Sequence, residues 1–465
     1  MQTKGIIRSL VNILGVHKVI YDTEEIARYS KDALDITRAL PPSFKPKMPI
    51  VIVRPYTEYD TVAVIKFANK NKIPIVPYGA GTGLMGGATT VKRGIVMDMK
   101  NMNSIDINRD DLTVNVGSGV VLKELASEVQ KHGLLFAHDP WSANYSTVGG
   151  AIATNGVGYL ACKYGSMGEQ VLGLRAVAGN GSLLDIKPVK KSSTGLDLKK
   201  LFIGSEGVLG IIMSATLKLY PRPAAQVILA FEFRDLATGY RCAKHLFSQG
   251  VRPTSIDLFE AFDVKADADT KKWLQDEEGT RLYLLFDGFE EEVSALSAKA
   301  KHIIKEFNGI ELDNEIAEQY WKNRYDIANR YISFITSSSR NTNIKFDFVQ
   351  VSIPSSKLLE FDKTCRGIAS KYKVTVQGHG IWQALEFYSM NLFADSADAN
   401  YRMCRAIDEM LKHAIEMGTM EYVHGVGVRL AHLMKETHSD GMAFIKKIKQ
   451  TFDPNNIMNP NKLAL

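Results

Sequence analysis

The chain has 465 residues, 45% of them hydrophobic and 23% charged, with a formal net charge of +6, and a length of that order exceeds what one core organises and predicts two or three domains. The charge is modest and the basic residues are scattered, apart from pairs such as Lys190 with Lys191 and Lys446 with Lys447, which argues against nucleic-acid binding. No apolar run approaches the ~18 residues of a membrane span, and Arg8 breaks the N-terminal apolar residues where a signal peptide would need them, so the expectation is a cytoplasmic protein with no transmembrane segment, bound to a membrane peripherally at most.

In chain order, Ile50 to Pro55 reads as a short apolar strand, Glu58 to Lys70 has helical periodicity, and Ile73 to Pro77 returns as a strand, making a β-α-β unit. That strand feeds Pro77-Tyr-Gly-Ala-Gly-Thr-Gly-Leu-Met-Gly-Gly-Ala88, with five glycines in the nine residues from Gly79 to Gly87. Glycine reaches positive φ without penalty, and successive free N–H groups in such a loop form a nest for an anion, most often a phosphate. A pyrophosphate-bearing cofactor is the first candidate ligand. The loop leads into a turn and then the strand Gly94 to Asp98, so it is not a G-x-G-x-x-G turn opening a helix, and G-x-x-x-x-G-K-[ST] is absent. Leu112 to Val116 is a strand and Val121 to His132 an amphipathic helix. A second Gly-rich turn spans Gly149 to Gly156, after Asp139-Pro140 and Ser146; a third, Gly204-Ser-Glu-Gly-Val-Leu-Gly210, lies among the short strands of 171–220.

A first domain ending near Pro221-Arg-Pro223 fits this texture, with boundaries 1–223, 224–415 and 416–465 for the whole chain. From Gln226 the pattern becomes strand, helix, strand, strand, helix, with strands at Val227 to Phe233, Ser255 to Phe259 and Leu282 to Phe286. A similar run has strands near Asp347 to Ile353, Val374 to Gln377 and Leu385 to Phe393. This predicts an antiparallel sheet with helices on one face. Trp321 and Arg324 are expected on a helix within the irregular stretch Lys301 to Lys345. The last segment, closing on Asp453-Pro-Asn-Asn-Ile-Met-Asn-Pro-Asn461, is expected to return to the first domain. Cys162, Cys242, Cys365 and Cys404 are far apart and form no C-x-x-C, so they read as free thiols that ligate no iron–sulfur cluster.

These Gly-rich and Asn-rich motifs, in this order and with Lys18-Val-Ile-Tyr-Asp22 and Arg28-Tyr-Ser-Lys-Asp32 before them, resemble the FAD-linked oxidases and dehydrogenases of the vanillyl-alcohol oxidase and p-cresol methylhydroxylase type. Within that group the chain is most similar to the D-lactate dehydrogenase, glycolate oxidase large-subunit and D-2-hydroxyglutarate dehydrogenase branch. The resemblance covers nearly the whole chain. It implies an α+β fold: a two-lobed FAD-binding domain plus an antiparallel-sheet cap domain with helices on one face. It implies FAD as cofactor, with Gly79, Ala80, Gly81, Thr82 and Gly83 and the turn Ser146, Thr147, Gly149 and Gly150 cradling the pyrophosphate. Pro77, Tyr78, Gly86, Pro140, Thr154 and Asn155 are further cofactor contacts; Glu206, Gly210 and Ile211 line the adenine and ribose end, and Asn459 faces the flavin ring. No covalent attachment is assigned to His138 or Cys162.

A flavin that accepts hydride needs a base for the substrate's hydroxyl proton. By resemblance that base is His424, in Val423-His-Gly-Val-Gly427 where the family has Glu-His-Gly-x-Gly, and Arg324 after Trp321 is the clamp for the substrate carboxylate, whose two oxygens suit a planar guanidinium. The branch also implies a divalent metal such as zinc, held by two histidines and a glutamate. Here Gly378-His-Gly-Ile-Trp-Gln-Ala-Leu-Glu386 keeps His379, puts Glu386 at the second histidine's place, and Val423 replaces the carboxylate. His379 and Glu386 are the remaining metal or substrate ligands, and Glu421, if on a strand, would share a face with Val423 rather than His424. Phe348 stands where a substrate-binding lysine is expected, with Lys345 three residues earlier. Tyr388, Trp382, Phe387 and Tyr422 point to a more aromatic, less charged pocket. The reading is an FAD-dependent oxidoreductase that converts a small 2-hydroxy acid of the D-lactate or glycolate type to the 2-oxo acid and passes electrons to a partner protein or quinone. The alternatives are an FAD-carrying subunit of a larger electron-transfer complex and a metal-free flavoenzyme for a different alcohol; a homo- or hetero-oligomer stays open.

Overall fold

The computed structural model describes residues 2–41, 44–263, 278–336 and 343–465; parts of the expected cap and of the stretch 301–345 lie outside them. The first sheet has four strands, in the order Val19–Ile20, Val51–Val53, Ile95–Asp98, Ile75–Tyr78. The two ladders made by Ile95–Asp98 are parallel and Val51–Val53 is buried at every position, the unbroken apolar run that a strand covered on both faces requires. The crossover helix Glu58–Asn71 begins at a capping box between Thr57 and Asp60.

Five strands form a second sheet, in the order Ile105–Asn108, Thr113–Gly117, Gly210–Lys218, Val171–Ala178, Leu183–Ile186, with all its ladders antiparallel. Val177, Ile211 and Met213 from this sheet share a core with Val51, Ile75 and Ile95 from the first, so the two are pressed together and their connecting loops meet at one rim.

The third sheet is antiparallel with seven strands and contains only residues between 225 and 395: its members include Ala225–Phe233, Gly279–Gly288, Ser255–Ala261, Thr375–Trp382, Phe387–Asp395 and Ile344–Ser352. Helices Leu236–Ser248, Glu290–Glu306, Leu358–Lys371 and Ala399–Ile415 share one core with its Leu258, Leu284, Ile381 and Leu392. Strand alternation then sets the two faces: Ile381 points to the helices and Trp382, one residue on, joins a separate aromatic cluster with Val157 and Tyr159 of the first part of the chain.

The end of the chain returns to the first sheet, where Met458 bridges Ile75 and the Asn459 N–H donates to the Ile75 carbonyl at 2.7 Å. Two local expectations differ. The glycines from 149 lie largely in a helix, Val148–Thr154, capped by Thr147, because the Thr147 hydroxyl accepts the Gly150 N–H. Trp321 is on the helix Asn314–Lys322, but that helix ends before Arg324. Among the described residues no helix is long and apolar enough to cross a membrane.

Candidate functional site

The rim where the first two sheets meet, together with the nearest part of the third, borders an open cleft of about 1380 Å³, part of it continuous with solvent. Its floor is the loop from Pro77 to Gly83, the direct continuation of the strand Ile75–Tyr78. Among the described residues nothing accepts a hydrogen bond from the backbone N–H groups of 80–83, so these donors are free to serve a ligand. Glycine is required here for two distinct reasons. Gly81 has φ +69° and a Cβ there would run into the Tyr78 hydroxyl, while a Cβ on Gly79 would run into the Thr147 hydroxyl. The opposite wall carries Pro140, Ser146, Thr147, Gly149, Gly150 and Thr154. It is tied to the floor by the Thr82 and Ser146 hydroxyls at 2.9 Å, with Ser146 in turn donating to Ser142 at 2.6 Å. Glu206, Gly210 and Ile211 close a third side.

Three residues expected as cofactor contacts do not line the cleft. Gly86, with φ +80°, packs toward Val428 and Leu34, and Gly87 takes the cleft-facing position. Asn155 is turned away, its side-chain oxygen accepting from the Ser166 hydroxyl and the Gly168 N–H. Asn459 is buried behind the wall and donates to the carbonyls of Gly87 and Glu206, so it fastens the loops together rather than facing the cleft. Besides lining the cleft, Glu206 fastens a second loop: its carboxylate accepts the N–H groups of Val426 and Gly427 at 2.6 and 2.8 Å. Burial pushes it up to about 7, against those two hydrogen bonds and the nearby Lys462 ammonium, while burial pushes Lys462 down to about 8.

Ring by ring, the end of the cleft that meets the third sheet is aromatic. Trp382 lies 5.2 Å from Trp141 and 5.3 Å from Tyr159 between centroids, and Trp141 is 6.5 Å from His424. His424 lines the cleft, and its other neighbour is Phe348 at 4.7 Å. Among the described residues its Nδ1 has no hydrogen-bond partner, and it sits 3.7 Å from the Glu421 carboxylate. The expectation that Glu421 faces away from His424 fails because residues 421–427 form a loop rather than a strand. Glu421 curls back to accept the N–H groups of Tyr422, Val423 and His424.

The other expected catalytic groups are elsewhere. Arg324 is stacked on Trp321 at 4.2 Å and gives its guanidinium to Asp139 (3.0 Å), the Trp321 carbonyl and the Tyr325 hydroxyl, outside the cleft. His379 shares the helix-side face with Ile381 and lies between two acids, with Nδ1 2.5 Å from Asp362 and Nε2 3.3 Å from Glu260. Burial opposes charge on this imidazole, but Asp362 and Glu260 outweigh it and raise its pKa. Glu386 is exposed and borders a different cavity with Arg252. His379 and Glu386 therefore do not form a metal site at the cleft, and among the described residues no group of three His, Cys, Asp or Glu side chains fits a metal ion. Lys345 donates to the Ile36 carbonyl. Of the aromatic residues, Tyr388 turns to the helices and donates to Asp362, and Phe387 stacks on Tyr422 at 4.3 Å, leaving Trp382 as the one in the cleft. Sequence reasoning missed Asp32, Ser118 and Trp141 on the wall: Asp32 ends the Arg28-to-Asp32 motif and Trp141 follows Asp139-Pro140, but neither motif marked them as wall residues, and Ser118 lies in none.

A nest of free amides, glycines forced by close approach, and buried polar atoms without partners at Ser118 Oγ, His138 and His424 Nδ1 suit a long ligand that carries phosphates at one end and a polar ring at the other. Comparison with known proteins gives that ligand its class. Residues 49–187 match the FAD binding domain, and residues 222–463 match the C-terminal domain of FAD linked oxidases. The chain is 30% identical to a D-lactate dehydrogenase of Anaerostipes hadrus over 90% of each protein, and 27% identical to the glycolate oxidase subunit GlcD of Bacillus subtilis over 100% of this chain and 97% of that one. Its fold is similar to that of p-cresol methylhydroxylase with substrate bound, at a TM-score of 0.79, 18% identity and coverage of 99% and 96%. The fold and the cleft are those of an FAD-binding flavoprotein. The chain belongs to the FAD-linked oxidase family and is an oxidoreductase.

Proposed function

We propose that this protein oxidises a small 2-hydroxy acid of the D-lactate or glycolate type to the 2-oxo acid, with the electrons leaving to a partner protein or a quinone. The observation that carries this reading is the placement of His424, an imidazole with an unpartnered Nδ1 on the wall of the cleft that suits FAD. When bound, FAD supplies the two-electron acceptor. His424 takes the hydroxyl proton as the substrate's C–H is surrendered as hydride. Glu421 and Glu206 hold the backbone on either side of His424, and Trp141 and Trp382 exclude water from the reacting end. In this reading residues 1–223 hold the cofactor, 224–415 cap it, and 416–465 bring the base back to it. The names borne by the relatives from Anaerostipes hadrus and Bacillus subtilis support the substrate class.

A second reading, a metal-free oxidation of a different and uncharged alcohol, is favoured by one specific observation. Among the described residues no lysine or arginine lines the cleft, so a substrate carboxylate would find no fixed cation there. One experiment separates the two. The purified flavoprotein is mixed anaerobically with D-lactate, glycolate, D-2-hydroxyglutarate and a set of aryl alcohols, and flavin absorbance is followed. Bleaching by a hydroxy acid establishes the first reading, bleaching by an alcohol alone establishes the second, and bleaching by none overturns both for this panel.

A further inference from the structure

His138 is 3% exposed, and neither ring nitrogen has a hydrogen-bond partner among the described residues. Burial alone pushes its pKa down to about 3, with no charged neighbour acting on it, so at neutral pH it is an uncharged imidazole with one donor and one acceptor. Buried polar side chains are nearly always paired, and an unpaired one calls for an explanation. None of the described residues provides a partner: the ring's neighbours include the edge of Phe136, at 6.4 Å between centroids, and Gly156, where a Cβ would sit 3.6 Å from the ring.

Two spaces border the ring. One is the cleft already described. The other is a separate cavity lined by Lys123, Asp139, Arg222, Gln226 and Arg324, among others, and His138 belongs to the walls of both. Along the cleft, His138 belongs near the aromatic end rather than at the amide nest. It precedes Trp141 by three residues, and Gly156 beside it leads to Val157, which packs in one cluster with Trp382 and Tyr159. We propose that His138 is a contact of the flavin ring, with one nitrogen hydrogen-bonded to that ring across the cleft wall and the other to water in the neighbouring cavity. The inference rests on the chain binding FAD and is independent of which substrate it oxidises.

The role predicts opposite effects on the two forms of the protein. In the cofactor-free form the imidazole is a buried polar group with an unmet need, so an apolar ring of similar size does no harm there. In the FAD-bound form the same change removes a hydrogen bond. The test compares wild type with His138→Phe and His138→Gln, reading the dissociation constant for FAD by titrating stripped protein, the visible spectrum and midpoint potential of the bound flavin, and the unfolding temperature of the stripped protein. His138→Phe is expected to weaken FAD binding about tenfold, the equilibrium counterpart of one buried hydrogen bond. It should also move the flavin spectrum and potential while leaving the unfolding temperature of the stripped form unchanged or higher. His138→Gln, which restores a donor and an acceptor, recovers part of the lost affinity. Wild-type affinity and spectrum in His138→Phe, a fall in the stripped form's unfolding temperature, or no recovery in His138→Gln would each overturn the proposal. If phenylalanine prevents folding, His138→Leu is read against the same outcomes.

Discussion

The imidazole of His379 is held by Asp362 and Glu260, and Asp362 is shared with Arg366 and the Tyr388 hydroxyl. Removing the central cation leaves two carboxylates facing each other, so His379→Gln is expected to lower stability by about 2–3 kcal/mol, discounted from a fully buried pair because Glu260 is partly exposed. The pH dependence rests on the directions of the shifts. His379 is raised above its ordinary 6.5, so its contribution is complete below that value and is lost as pH rises through the raised pKa. Asp362 and Glu260 are lowered, against burial, by His379, so theirs is lost as pH falls through their depressed values. The deficit of His379→Gln in chemical denaturation should be greatest between about pH 4.5 and 6.5 and shrink on either side. Since this histidine is a structural link between sheet and helix, a chelator should leave flavin reduction by substrate unchanged; a loss of rate restored by zinc would contradict the geometry. The residue type and its motif were visible in the chain, but its partners were not, because Asp362 lies on a helix and Glu260 on a neighbouring strand, 17 and 119 positions away.

The element that carries His424 is a loop, and its order comes from outside it. Glu421 accepts three of its N–H groups, Glu206 two, and the Met85 carbonyl takes those of Val428 and Arg429. Glu421→Ala frees the backbone at His424 itself; because geometry at the reacting atoms is worth orders of magnitude, it should lower kcat by about tenfold or more while FAD affinity holds, as read by stopped-flow reduction beside a flavin titration. Glu206 gives a second, pH-resolved check. Burial raises it from 4.5 to about 7, so between those values the folded protein holds a proton that the unfolded chain has released, and stability falls as pH climbs through the window. Glu206→Gln cannot titrate, and its unfolding temperature should therefore gain on wild type from pH 4.5 to 7. A constant difference across that range would show that Glu206 keeps its ordinary pKa. The legible elements were the helix Glu58–Asn71, from its helical side-chain spacing, and the strand Ala225–Phe233, from its apolar run Val227 to Phe231. The 421–427 loop was not legible, because Tyr422 and Val423 taken alone favour a strand and only the two carboxylates decide otherwise.

At the scale of the whole molecule, the glycine loop at 79–83 was legible because its chemistry is local: the same residues that permit the backbone path present the free amides. The joining of parts was not, since it depends on single residues far apart in sequence. The last nine residues are the clearest case. Ile457 and Met458 are buried in the core shared by the first two sheets, Asn459 donates to the carbonyls of Gly87 and Glu206, and Lys462 donates to that of Thr89. Burying the two apolar side chains is worth about 1.5–3 kcal/mol each, and the two buried carbonyls of Glu206 and Thr89 stripped of donors would cost about 1–3 kcal/mol apiece. Together these rival the roughly 5–15 kcal/mol that holds a domain folded. They act on the loops under the cleft, whereas the core of the seven-stranded sheet draws on this segment through the partly buried Leu463 and Leu465 and not through Ile457, Met458, Asn459 or Lys462. Deleting residues 457–465 should therefore uncouple the two: flavin release, followed by its fluorescence on heating, should come well before loss of secondary structure followed by circular dichroism. Asn459→Ala should show the same separation to a smaller degree. If both signals are lost together in the truncated chain, the C-terminal segment stabilises the fold as a whole and has no particular hold on the cleft.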